Sequence, residues 1–198
     1  VSDTTDGDRR TARFQSQNPI LAFFSIQSAD YAVTSRQHND IAMEIFHHPT
    51  HDFNAERMLD AMAVSLDYFE ENFGPYQFDY ARVIEFPGYA TFAQAFAGTV
   101  PYSERIGFIA NTADKDDIDY VTYVTAHEYG HQYWAHQLIS AYMQGGTVMV
   151  ETMAQYSALM VMKQIYGEEQ IRRFLKYELD AYLSSRGSEV IEELPLIR

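Results

Sequence analysis

Between Pro19 and about His48 the chain carries two short runs rich in Ile and Phe, ILAFFSI (20–26) and IAMEIF (41–46). Both are short, apolar or alternating, and predict strands separated by turn signals at Ser28–Asp30 and His38–Asp40. The stretch before them, residues 1–17, is polar and predicts poor order or a linker. From Ala55 to Phe73 the period changes: Met58, Leu59, Met62 and Leu66 recur at helical spacing, Asn54 stands where an N-cap belongs, and Gly74-Pro75 ends the pattern. ARVIEF (81–86) predicts a further strand, residues 87–103 are rich in Gly, Ala and Phe and fit neither period, and IGFIA (106–110) predicts a strand.

After a polar loop from Asn111 to Asp117 the pattern becomes helical. One helix is expected from about Asp119 to Leu138, with acidic residues at its start that suit the helix dipole. A loop containing Gly145-Gly146 leads to a helix from about Thr147 to Tyr166, which Gly167 stops, and a last helix spans about Glu168 to Ser185. Strands dominate the first half and helices the second, which is an α+β pattern.

Composition narrows the classes. With 46% hydrophobic and 15% aromatic residues over 198 positions, a packed core is expected rather than disorder. The 28 acidic against 14 basic residues, a formal net charge of −14, argue against binding a phosphate backbone, so no nucleic-acid partner is expected. There is no cysteine, which excludes disulfides, thiolate metal ligands and thiol catalysis. No run approaches the ~18–20 apolar residues of a membrane span. The polar opening VSDTTDGDRRTAR and the ending Leu-Pro-Leu-Ile-Arg read as the ends of a piece of something larger.

The chemistry concentrates at 127–131, HEYGH. On a helix, His127 and His131 lie one turn apart on one face, so each can offer an imidazole nitrogen to one metal ion. Glu128 is set to the side of that face, placed for a water beside the metal rather than for the metal. Zinc with a few protein ligands and an open position, plus a carboxylate that takes a proton, is the equipment of a hydrolase. The bland alternative is two hydrogen-bonded histidines with an incidental Glu. A tetrahedral zinc ion also needs a further protein ligand. Glu151, early in the next expected helix and beyond the Gly-Gly turn, can fold back to supply it; its alternative is a glutamate favoured only by a helix N-terminus.

HEYGHQYW followed by Glu151-Thr-Met-Ala-Gln-Tyr156 resembles the aminopeptidase N family of gluzincin zinc metallopeptidases, which share HExxH and an E-x-x-A-x-Y helix. FGPYQFDYARVIEFPGYATFAQAFAGTVPYSERIGFIA and HQLISAYMQGGTVMVETMAQYSALMVM make it look like the peptidase domain associated with bacterial ABC-transporter permeases. The resemblance covers about 20–198. It implies a thermolysin-like gluzincin catalytic domain over 18–198, with a mixed β-sheet subdomain, a mainly helical subdomain and the zinc site between them. It further implies Zn²⁺ held by His127, His131 and Glu151, Glu128 as general base, and a peptide substrate. Its setting would be an extracytoplasmic or membrane-associated domain, with a permease segment elsewhere in the full-length protein.

The chain departs from that family in three places. The gap from His131 to Glu151 is one residue longer than usual and matches thermolysin-like enzymes. The Gly-x-Met-Glu-Asn motif is replaced by Ser103-Glu104-Arg105-Ile106-Gly107, which sets Glu104 where the family holds a substrate's α-amine, and IGFIA would align the peptide as an edge strand. The family's catalytic Tyr, on family spacing, falls beyond Arg198. An alternative of another class is a non-catalytic peptide-binding or zinc-sensing module of a transporter-associated protein, and a third is a scaffold without metal. Of the remaining histidines, His47, His48 and His51 read as a solvated strand end with a second metal site as the rarer option. His136 reads as a hydrogen-bonding residue beside Trp134, and Tyr102 and Tyr129 as core or pocket wall.

Overall fold

The computed structural model describes residues 2–114 and 117–188. Its elements, in chain order, are β1 (Ser2–Asp6), β2 (Arg9–Arg13), β3 (Ala32–His38), β4 (Ile41–His47), α1 (Ala55–Phe73), β5 (Tyr80–Phe86), β6 (Thr99–Ser103), α2 (Tyr120–Gly130), a π-helical turn (Val148–Thr152) and α3 (Met153–Arg186). The architecture is mixed α+β. The main sheet has the order β3-β4-β5-β6, with β3 antiparallel to β4 and the other pairs parallel.

Alternation sets the sheet's inner face. Along β4, Ile41, Met43, Ile45 and His47 are buried while their neighbours are half-buried, and β5 buries Ala81, Val83 and Glu85 in the same phase. Register aligns Met43 with Ala81, and Ile45 with Val83 and Val100. The third row of the same face holds Glu85 opposite Tyr102. A carboxylate thus occupies an inward position at the end of a core strand.

α1 touches β3 and β4 and also α2 and α3, so it links the sheet to the helices. Its face of Met58, Leu59, Met62, Leu66 and Phe69 is fully buried, each side chain stabilising by roughly 1.5–3 kcal/mol. α2 is buried on nearly every side, including Val121, Tyr123, Ala126 and Tyr129, as a helix without a solvent face must be.

Several expectations are corrected. The polar residues 2–13 form a two-stranded antiparallel hairpin, β1 with β2, exposed at every position. ILAFFSI forms no strand: Ile20, Leu21, Phe23, Phe24 and Ile26 stay exposed, with Phe23 resting on Phe96 at 4.4 Å between ring centroids. IGFIA is a turn, not an edge strand. Phe108 is fully buried there, and the carbonyls of Gly107 and Ala110 accept from Asn54 Nδ2 at 2.7 and 3.0 Å. Those bonds occupy the Asn54 side chain, which makes no cap for α1. The free edge of β6 is instead covered by residues 92–96, through Ser103 N to Phe92 O, Gln94 N to Pro101 O and Phe96 N to Thr99 O.

α2 stops at Gly130, well short of Leu138, and turns continue beyond it. Asp119 caps its start, accepting from Thr122 N at 3.1 Å. The last two expected helices appear as one element broken at Gly167, where φ 79° and ψ 176° interrupt the helical path. Lys115 and Asp116 of the expected 111–117 loop, and the Leu-Pro-Leu ending, lie outside the described residues. Among the described residues no helix is long and apolar enough to cross a membrane.

Candidate metal centre

His127 lies near the end of α2 and His131 is its C-cap, still in right-handed helical geometry at φ −65° and ψ −20°. The helix therefore carries both imidazoles to the same side at its last turn. Their Nε2 atoms face each other at 3.0 Å. Glu151, in the π turn that opens α3, brings Oε2 to 3.5 Å from His127 Nε2 and 3.4 Å from His131 Nε2.

These three separations test whether an ion fits. A tetrahedral zinc ion with bonds of 2.0–2.2 Å sets its ligand atoms about 3.3–3.5 Å apart. The observed triangle needs only a few tenths of an ångström of adjustment. His131 Nδ1 lies 3.3 Å from Trp134 O, so donation to that carbonyl leaves the Nε2 lone pair facing the triangle. His127 Nδ1 is buried with no partner among the described groups. The His127, His131 and Glu151 donors can hold a metal ion.

The electrostatics agree with a pocket that draws positive charge. Hydrogen bonds from His127 and His131 hold the Glu151 carboxyl well below the usual carboxylate range, despite partial burial. Burial disfavours the charged form of His131, but Glu151 and Glu128 outweigh it and its pKa is raised. Glu128 is pushed up by burial, against the opposing pull of His127 and His131. Its Oε2 is buried and without a hydrogen-bond partner. An unpaired buried carboxylate oxygen is costly to keep, and here it stands beside the metal donors.

The donors differ in exposure. The His131 and His127 side chains are 7% and 18% exposed, whereas that of Glu151 is 56% exposed. The site is closed on the helix side and open on the Glu151 side. A surface cavity of about 630 Å³, bordered by Ser140, Tyr142, Met143, Thr147 and Glu151, lies there.

Close backbone approach sets Glu151 against α2. A Cβ on Gly130 would lie 3.2 Å from the Cα and O of Ala154, three residues past Glu151. Gly130 is the spacer that lets α3 come this near. Gln132, fully buried, ties the end of α2 to the loop before β6, accepting from Gly98 N at 2.8 Å and donating to Phe96 O at 3.0 Å.

Glu104 does not join this triangle. It follows β6 directly, with Oε1 accepting from Gly88 N at 2.7 Å and Oε2 4.0 Å from His51 Nδ1. His136 Nε2 donates to Ala95 O at 3.2 Å, and burial lowers its pKa. Trp134 Nε1 donates to Ser157 Oγ at 2.9 Å. Tyr102 and Tyr129 are fully buried core residues. His47 and His48 are engaged with Thr34 and Thr50, both at 2.9 Å. The residue that sequence reading passed over is Glu85, taken as part of an apolar strand. The signal was its phase: it follows Ala81 and Val83 at the strand period.

No protein-family model matches the chain, and no curated protein matches it.

Proposed function

We propose that this chain is the metal-binding part of a zinc-dependent metallopeptidase with a thermolysin-like gluzincin fold. The observation that carries the reading is the convergence of His127, His131 and Glu151 with the buried, unpartnered Oε2 of Glu128 beside them. Three protein donors with one exposed flank suit a catalytic zinc site better than a structural one, which is closed by four.

Zinc bound there would supply Lewis acidity, acidifying water and polarising a carbonyl. The chain's own groups then divide the work. His127, His131 and Glu151 would hold the ion, each through one donor atom. Glu128 takes a proton from the attacking water onto its carboxylate and passes it to the leaving amine as the peptide C–N bond breaks. Burial favours the first half of that task, because a carboxylate whose pKa is raised is the stronger base. A peptide would reach the site from the open Glu151 side. An aminopeptidase-type preference would rest on Glu104 Oε2 meeting a substrate ammonium, in a parent protein that carries a permease segment.

The test is hydrolysis of aminoacyl-nitroanilides and blocked peptides by the full-length parent, with and without chelator. Glu128→Gln should keep zinc and lose about 10²–10⁴ in rate. Zinc binding with no hydrolysis by the unsubstituted parent on either substrate class would favour the peptide-binding or zinc-sensing alternative. No zinc uptake would refute the hydrolase and the zinc-sensing readings alike.

A further inference from the structure

Three parallel strands, β4, β5 and β6, end at the same edge of the sheet, the edge where α/β sheets gather ligands. One chemistry-bearing residue comes from each end. His51 lies four residues past β4, Glu85 is the penultimate residue of β5, and Glu104 follows β6. His51 Nδ1 stands 2.5 Å from Glu85 Oε1 and 4.0 Å from Glu104 Oε2. One donor atom from each of the three lies within 4.8 Å of the others.

This is more than two acids near a histidine. Each carboxylate has its second oxygen fixed by a backbone amide: His48 N donates to Glu85 Oε2 at 2.5 Å, and Gly88 N to Glu104 Oε1 at 2.7 Å. The remaining oxygens are thereby aimed at the imidazole, as supporting hydrogen bonds aim the ligands of metal sites. The Glu85 side chain is only 5% exposed, and it sits on the apolar inner face of the sheet. Among the described residues no Lys or Arg forms an ion pair with either carboxylate; Arg105 borders Gly88 without reaching them.

We infer that His51, Glu85 and Glu104 form a second divalent-cation site, independent of the His127–His131–Glu151 centre. One imidazole with two carboxylates suits a first-row ion such as Zn²⁺ or Mn²⁺ rather than Ca²⁺, which takes oxygen donors alone. Bonds of about 2.0–2.2 Å would widen the His51–Glu85 separation and draw Glu104 inward, towards a common spacing of about 3.3–3.5 Å. Such an ion competes with a substrate ammonium for Glu104 Oε2, so it replaces the aminopeptidase-type part of the functional reading and leaves the hydrolytic part intact.

Equilibrium dialysis of the chain against Zn²⁺ tests this, with metal content measured per folded chain and folding followed by circular dichroism. The unsubstituted chain should hold two ions. His51→Ala and the pair Glu85→Gln with Glu104→Gln should each lose one, and His127→Ala should lose the other. His51 lies outside the sheet, so its variant keeps the test decisive if removal of the buried Glu85 carboxylate prevents folding. An undiminished zinc count in His51→Ala overturns the inference, as does a single ion that leaves with His127. A single ion that leaves with His51 and survives His127→Ala upholds it, and sinks the hydrolase reading instead.

Discussion

His127 and His131 point their Nε2 atoms at each other across 3.0 Å. One neutral imidazole can donate to the other there, but both lone pairs cannot face the gap without a cation between them. Zinc should therefore bind the folded chain and stabilise it. Free zinc at a hundred times Kd adds about 2.7 kcal/mol, which in a chain of this size raises Tm by roughly 5–10 °C. Thermal melts should show that rise, its reversal by chelator, and a much smaller rise in His131→Ala.

Gly130→Ala places a methyl group against the backbone of Ala154. Backbone cannot swing aside as a side chain can, so α2 and α3 must part by a few tenths of an ångström. Glu151 would move with α3. Zinc affinity should fall about tenfold, corresponding to ~1.4 kcal/mol, as read by competition with a chromophoric chelator. Unchanged affinity would show that Glu151 is positioned without this contact.

Gln132→Ala removes a buried amide and leaves Gly98 N unmatched, while Phe96 O keeps its bond from Thr99 N at 3.0 Å. Each stranded buried group costs about 1–3 kcal/mol. Urea unfolding should report a loss of about 1–3 kcal/mol with little change in slope.

The carboxylate of Asp119 offers a pH-dependent test. Burial pushes its pKa up, but hydrogen bonds from Tyr166 and Thr122, together with Arg57, outweigh burial and leave it below the ordinary 3.8. A lowered folded pKa contributes stability that is present above the unfolded value and lost as pH falls through the folded one. Tyr166→Phe deletes the 2.5 Å bond to Oδ2. It should cost about 1 kcal/mol at pH 7, and the gap from the parent chain should close as pH falls below the ordinary 3.8 and through the lowered folded pKa. Denaturant titrations at the two pH values measure it. A gap independent of pH would assign the cost to packing.

The legible parts of the sequence were those in which one period dominates. Met58, Leu59, Met62 and Leu66 placed α1 between its observed ends, and Ala81, Val83 and Phe86 marked β5. HEYGH put both imidazoles on one helical face because that spacing is local. Short apolar runs misled where tertiary packing decides. IGFIA buries Phe108 as a turn because Asn54 satisfies its carbonyls, a partner more than fifty residues away in sequence. β3 was missed because AVTSRQH is an edge strand with exposed polar positions. Its Arg36 pairs with Glu56 and Asp60 on α1, both at 2.6 Å. Glu151 reaches the two histidines by a route the periodicity did not show, since α2 ends at Gly130 and a π turn presents the carboxylate.

That π turn is an α-turn holding one residue too many. The extra residue is absorbed within 148–152, immediately ahead of a regular helix. The turn is therefore wider than the helix it opens into, and this widened turn is what presents Glu151 to His127 and His131.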